Sequence, residues 1–428
     1  MTQPGAGRLR QAAIYSRGVF GARPTIPTSW PELDRLAQRR LSKRGYGYVA
    51  GGAGSEQTMR ADRAAFERWE LLPSMLRDVA ARDTSVRLFG RTLPSPLLLA
   101  PIGALGILNS GADLAVASAA AEHGVPYIFS SQASRRMEDC AAVMGAAPRW
   151  FQLYWSTSDE LVASFVGRAE SIGCEAIVVT LDTTMLGWRP RDLDQGYLPF
   201  ALADGIAQYT SDPVFARMVA ERSASPAASP AASPRVGQVP TLIRSLARMS
   251  KNAPGRPMAN LAGARAAVQT FLETYSRPSL TWSDLSTLRS MTSLPIVLKG
   301  IQRPDDARRA IEAGVDGLIV STHGGRQVDG GRGALDSLPG VVEAISGALP
   351  VLMDSGIRGG ADILKALALG ATAVCLGRPY ALALGLAGRV GVSEVIANVL
   401  AEFDLTLGLC GYSSVADVGP DALVRRSV

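Results

Sequence analysis

A chain of 428 residues, 47% of them hydrophobic and 19% charged, carries enough apolar material for one large core or several ordinary ones, which excludes a chain disordered throughout. Its formal charge of +6 is mild for that length and comes without a Lys/Arg cluster, so nucleic acid is not an expected partner and small anions are. Four scattered cysteines, Cys140, Cys174, Cys375 and Cys410, lack metal-like spacing and read as reduced and structural, as expected of a cytoplasmic protein.

Residues 1–31 hold Arg8, Arg10, Arg17 and Arg23 and no acid. They lack the apolar core of a secretory signal, and Pro4, Pro24 and Pro27 suggest an extended arm over 1–30, ahead of one domain spanning 31–428. Residues 31–47 read as a helix, with Pro31 in the first turn, Ser29 as a cap, and Leu33, Leu36 and Leu41 on one side. The glycines that follow are expected to end it and leave Tyr46 and Tyr48 in a loop. The most apolar window, 96–108, is broken by proline and glycine and is too short to span a bilayer, so no membrane span is expected.

From residue 97 a rhythm begins. Short apolar runs stand at 97–101, 126–130, 150–154, 176–182, 295–299, 318–321, 350–354 and 373–377. Helix-like segments lie between them, at 112–122, 136–144, 159–172, 304–313, 338–345 and 361–369, with a helical tail at 393–407. Only the gap between the fourth and fifth runs breaks the spacing. This pattern predicts an α/β fold, a (βα)8 TIM barrel with an N-terminal helical segment and a long insertion in its fourth βα loop. An open doubly wound sheet is the alternative, but no Gly-x-Gly-x-x-Gly turn follows the first run. The insertion, about 191–281, is basic (Arg217, Arg222, Arg235, Arg244, Arg248, Lys251, Arg256) and holds an Ala-Ser-Pro tract at 223–234 that is expected to be mobile. A lid, an oligomer contact or a plain surface elaboration would each fit it.

Sites in such barrels form at the C-terminal ends of the strands. In order, these ends carry Gly103; Ser130; Gln152 and Tyr154; Thr180 and Asp182; Lys299; Ser321 and His323; Asp354; and Arg378. Polar groups gathered at one end of otherwise apolar strands must line a shared cavity or remain unsatisfied. The stretch Ser321–Gly331 is the densest. His323 is one of two histidines and the economical neutral-pH base, Gly324 and Gly325 would let a flat ligand approach, and Arg326 offers a fork for a carboxylate. By itself the stretch reads first as a tight loop with an exposed arginine. Asp182 is placed to fix the tautomer of His323, or to form an ordinary ion pair, and Arg189 is a further carboxylate contact. The glycine-rich helix start at 354–360 and Gly377-Arg378-Pro379 suggest a phosphate after the last two strands.

Leu298-Lys299-Gly300, Ser321-Thr322-His323-Gly324-Gly325-Arg326-Gln327, Asp354-Ser355-Gly356-Ile357-Arg358 and Gly377-Arg378-Pro379 resemble, in order, the motifs of the FMN-dependent α-hydroxy-acid oxidase and dehydrogenase family, from about residue 31 to the C-terminus. The resemblance implies FMN as cofactor, a small 2-hydroxy acid and O2 as partners, and a homotetramer or larger assembly. It implies His323 as the base, oriented by Asp182, and Arg326, Arg189, Tyr48 and Tyr154 as substrate contacts. Lys299 would stand at the flavin N1 side and Pro101, Ile102 and Gly103 against its ring. Ser130, Gln152, Thr180 and Ser321 would hold its edges or ribityl chain, and Asp354, Gly356, Arg358, Gly377 and Arg378 the ribityl and phosphate end. Gly187–Leu193, Gly196–Phe200, Gly103 (where relatives carry alanine) and the long insertion resemble the lactate 2-monooxygenase branch. That branch implies L-lactate and O2 giving acetate, carbon dioxide and water. An oxidase releasing hydrogen peroxide, a dehydrogenase with a quinone or protein acceptor, and a binder of phosphorylated ligands without redox chemistry remain as alternatives.

Overall fold

In the computed structural model, which describes residues 5–224, 245, 247, 249 and 261–426, eight parallel strands close into a barrel. They are β1 (Leu97–Leu99), β2 (Tyr127–Ser130), β3 (Arg149–Leu153), β4 (Ile177–Thr180), β5 (Ile296–Ile301), β6 (Gly317–Val320), β7 (Val351–Met353) and β8 (Ala373–Leu376), with β8 paired back onto β1 at Cys375 and Leu98. The helices are α1 (Ala112–Glu122), α2 (Met137–Met144), α3 (Asp159–Ser171), α4 (Asp284–Met291), α5 (Pro304–Glu312), α6 (Ala334–Ile345), α7 (Gly360–Ala368) and α8 (Arg378–Leu409). The predicted (βα)8 barrel is the fold. Its strands read as unbroken apolar runs because the helices cover one face and the barrel interior buries the other.

Two packing layers result. Leu98, Ile128, Trp150, Val178, Val297 and Ile319 fill the interior. A hairpin of Val86–Leu88 and Arg91–Leu93 plugs its N-terminal end, with Phe89 at 5.4 Å from Trp150 and against Gly317 at the start of β6. The outer faces of the strands pack on the helices.

Three local expectations need correction. The arm at 1–30 contains a helix, Ala6–Gly18, docked on α8 through Gly7 N–H to Asp404 (2.9 Å) and Arg10 to Asn398 (2.8 Å). The helix expected at 31–47 is two, Trp30–Arg40 and Lys43–Ala50. Ser42 restarts the chain by accepting from Gly45 N–H at 3.0 Å. Tyr46 and Tyr48 are therefore helical, and the helix runs on to Gly51. The tail expected at 393–407 begins at Arg378 and leaves helical geometry at Ala387 and Gly388. By length and composition α8 is apolar enough to cross a membrane; here it is the eighth barrel helix, packed on α1, α7 and the N-terminal helix.

The described part of the insertion is well packed. Tyr209 meets Phe165, Phe215 and Phe271 edge-on at 4.9, 5.5 and 4.8 Å, joining Pro213–Ala224 and Leu261–Thr274 to α3. Arg217 and Arg222 are ion-paired with Glu160 and Glu273. Ser223 and Ala224 end a helix; the rest of the Ala-Ser-Pro tract, with Arg235, Arg244, Arg248, Lys251 and Arg256, lies outside the described residues.

Candidate active site

β6 ends at Val320, and the chain turns into a short 3-10 segment, His323–Gly325. His323 has φ 57°, a left-handed conformation that a side chain adopts only when its surroundings enforce it. They do. His323 N–H donates to Ser321 Oγ (2.9 Å), Gly324 N–H to Ser355 Oγ (2.9 Å) and Gly325 N–H to Thr322 Oγ1 (3.1 Å). The two glycines have a reason within the protein as well, and Gly324 also lines the cleft, where the sequence suggested that a flat ligand could approach. A Cβ on Gly325 would lie 2.5 Å from the Met59 nitrogen, and one on Gly324 would lie 2.7 Å from Arg378 Nη1.

The turn opens onto a cleft at the C-terminal end of the barrel. Its walls include Tyr48, Pro101, Ile102, Gly103, Tyr154, Thr180, Arg189, Lys299, His323, Arg326, Asp354, Gly356, Arg358, Gly377 and Arg378. Of the other predicted site residues, Asp182 bonds His323, Ser321 bonds Lys299, and Ser130 and Gln152 bond each other at 3.2 Å, all from just behind the lining.

His323 Nδ1 lies 2.8 Å from Asp182 Oδ1 and 3.2 Å from Thr183 Oγ1. A carboxylate partner assigns the proton to Nδ1 and leaves Nε2 as the basic nitrogen. Burial pushes the imidazole below its ordinary value, while Asp182 pulls it up. Burial would raise Asp182 in turn, but His323 and Lys299 hold it below the usual carboxylate range. Lys299 ends 2.9 Å from Asp354 and 2.8 Å from Ser321. Burial alone would lower it; Asp354 and Asp182 outweigh that and raise it.

The arginines divide their donors between protein and cleft. Arg326 gives Nη1 to the carbonyls of Tyr48 and Gly51 and lies 5.0 Å over the Tyr48 ring. Arg189 ties its loop to the Arg326 carbonyl (3.1 Å) and to Gln327 Oε1 (2.7 Å). Arg378 is the most committed, to Val49, Gly51 and Gly324 carbonyls at 3.0, 2.9 and 2.8 Å. Arg358 stacks at 4.4 Å on Trp30. Burial, then the neighbouring Arg189, lowers Arg326 to about 9; burial and adjacent arginines lower Arg358 and Arg378 to about 10. Buried cations crowded in this way favour an anion.

Sequence reasoning assigned no role to Thr183, Gln132, Asp62, Leu186 or Tyr275, and named Ser355 and Phe200 only as members of motifs, without a place in the site. Thr183 was signalled by its place beside Asp182; Phe200 and Tyr275 come from the insertion, whose path no periodicity reveals. Gly103 also acquires a local reason, since a Cβ there would sit 3.0 Å from that of Gln132.

Comparisons with known proteins match the chain in sequence and fold. A sequence model of the FMN-dependent dehydrogenase family matches residues 37–425. An L-lactate oxidase from Lysinibacillus sphaericus is 39% identical over 405 residues, 95% of either chain. An FMN-dependent alpha-hydroxy acid dehydrogenase from Penicillium citrinum is 41% identical over 418 residues, 97% of this chain and 96% of its own. The crystal structure of a mandelate oxidase with (S)-4-hydroxymandelic acid superposes with a TM-score of 0.75 at 35% identity, covering 94% of this chain and 99% of that one. The residues present fit FMN. Gln152 Nε2, Thr180 Oγ1 and Arg358 Nε are buried and lack partners among the described residues, matching the polar ring edge and anionic tail of that group.

Proposed function

The chain belongs to the FMN-dependent dehydrogenase family and oxidises 2-hydroxy acids with a flavin, and from that premise we propose that its substrate is a small L-2-hydroxy acid, L-lactate first among them. The observation that carries the reading is the His323–Asp182 pair opening onto the same cleft as Arg326 and Arg189. Bound FMN supplies the two-electron acceptor. Arg326 and Arg189 hold the substrate carboxylate, and Tyr48 and Tyr154 line the reacting end. His323 Nε2 takes a proton as the bond at the hydroxyl-bearing carbon is oxidised, and Asp182 stabilises the imidazolium that forms. Lys299, kept charged by Asp354, stabilises negative charge that builds beside it.

Two fates of the product are supported by different observations. The L-lactate oxidase relatives favour release of the 2-oxo acid, with O2 reduced to hydrogen peroxide. Phe200 and Tyr275, which the insertion lays against the cleft, favour retention of pyruvate and its decarboxylation in place, so that lactate and O2 give acetate, carbon dioxide and water. Turnover of L-lactate in air, with acetate, pyruvate and hydrogen peroxide quantified together, separates them. Pyruvate matching peroxide selects the oxidase and acetate matching oxygen consumed selects the monooxygenase. Rapid anaerobic reduction with slow reoxidation by air points to a quinone or protein acceptor.

A further inference from the structure

We propose that Asp62, on the helix Gln57–Glu67 outside the barrel, is a positioning residue that holds His323 in its working geometry through Thr322. This inference rests on His323 being the base.

Asp62 is 2% exposed. Its Oδ2 accepts from Thr322 Oγ1 at 2.7 Å and its Oδ1 from Ala334 N–H at 3.0 Å. Thr322 Oγ1 also accepts from Gly325 N–H at 3.1 Å. The Thr322 hydroxyl thus closes a loop over His323, whose left-handed backbone is the strained point of the turn. On the other side, Ser355 Oγ accepts from Thr322 N–H (3.2 Å) and Gly324 N–H (2.9 Å) and donates to Asp354. Two hydroxyls therefore clamp the residues flanking the histidine, and each is oriented by a carboxylate.

An ionised carboxylate accepts both bonds, from Ala334 N–H and from the Thr322 hydroxyl, whose oxygen meanwhile receives Gly325 N–H on one of its two lone pairs. Asparagine could accept only one of them; its NH2 would have to donate to the other lone pair of Thr322 and so turn the hydroxyl proton away. Burial pushes Asp62 up to about 6, against the hydrogen bonds from Thr322 and Ala334 that favour the charged form. The two oxygens also separate two roles. Oδ1 secures the first residue of α6, a matter of folding; Oδ2 secures the turn, a matter of catalysis.

The test is the rate of anaerobic FMN reduction in the holoenzyme, by L-lactate or (S)-mandelate, whichever reduces the wild type faster. Thr322→Val removes the hydroxyl without touching α6. A displacement of the base by a fraction of an ångström is expected to slow reduction on the order of 10- to 100-fold in Thr322→Val and Asp62→Asn, with FMN content and substrate affinity within about twofold. Thr322→Ser keeps the hydroxyl and recovers to within about threefold of wild type, and the Asp62→Asn/Thr322→Val double variant falls no further than its slower parent. Wild-type reduction by Thr322→Val, or a double variant slowed by the product of the two single effects, overturns the inference. His323→Gln is measured alongside. If it reduces like wild type, the base assignment falls and takes this inference with it; if it alone is slowed, only the role of Asp62 falls.

Discussion

The two ends of the barrel are made by the same eight strands and are filled in opposite ways. The N-terminal end is an apolar plug, where Phe89 from a hairpin lies against Trp150. The C-terminal end buries Lys299, Asp182, His323, Arg326, Arg358 and Arg378 around a cleft. One end is held by volume and the other by partners. An apolar plug tolerates no loss of atoms, whereas a buried charge tolerates no loss of its opposite.

The largest expected effects are a matched pair that probes this difference. Trp150→Ala opens a cavity in the plug and should cost about 3–5 kcal/mol in denaturant unfolding. Lys299→Met strands Asp354 at the other end and should cost a similar amount, about 3–5 kcal/mol. The two part company on rescue: Lys299→Met/Asp354→Asn should regain most of the loss, because the stranded charge is gone. A double variant as unstable as Lys299→Met would mean that packing, not charge, holds that end too. A second charge test is kinetic. Burial lowers His323 below its ordinary 6.5, and as the proposed base it would act in the neutral form. As pH falls, activity should therefore persist below 6.5 and be lost only on passing through the lowered value. The acid limb of kcat/KM should lie under 6.5, and Asp182→Asn, which removes the upward pull, should move it lower still; a wild-type limb above 6.5 contradicts the burial argument. The smallest effect belongs to neither end. Ser158 caps α3 by accepting from Leu161 N–H, and Ser158→Ala should cost about 1 kcal/mol with kinetics unchanged.

The same contrast explains what the sequence disclosed. Strands buried on both faces betray themselves as apolar runs, and a polar residue at the end of each run marks the functional end of the barrel. The gathering of His323, Asp182 and Lys299 about one cleft was legible for that reason. The N-terminal helix was not, because its docking depends on Asp404 and Asn398 at the far end of the chain. Gly45 and Gly47 disguised the helix that carries Tyr48, since glycine reads as a breaker where Ser42 supplies the start. Asp62 was invisible for a related reason. Its partner Thr322 is 260 residues away, and nothing local tells a buried carboxylate from a solvated one.

At the open end of the barrel His323 is the proposed base of a 2-hydroxy acid oxidation. The most direct measurement is rapid anaerobic mixing of the FMN-loaded protein with L-lactate, followed by loss of the flavin absorbance, for wild type and His323→Gln at equal FMN content. Prompt bleaching of the wild type and reduction slower by about a thousandfold in the variant are expected, within the usual range for a lost general base. Equal rates would contradict that role for His323.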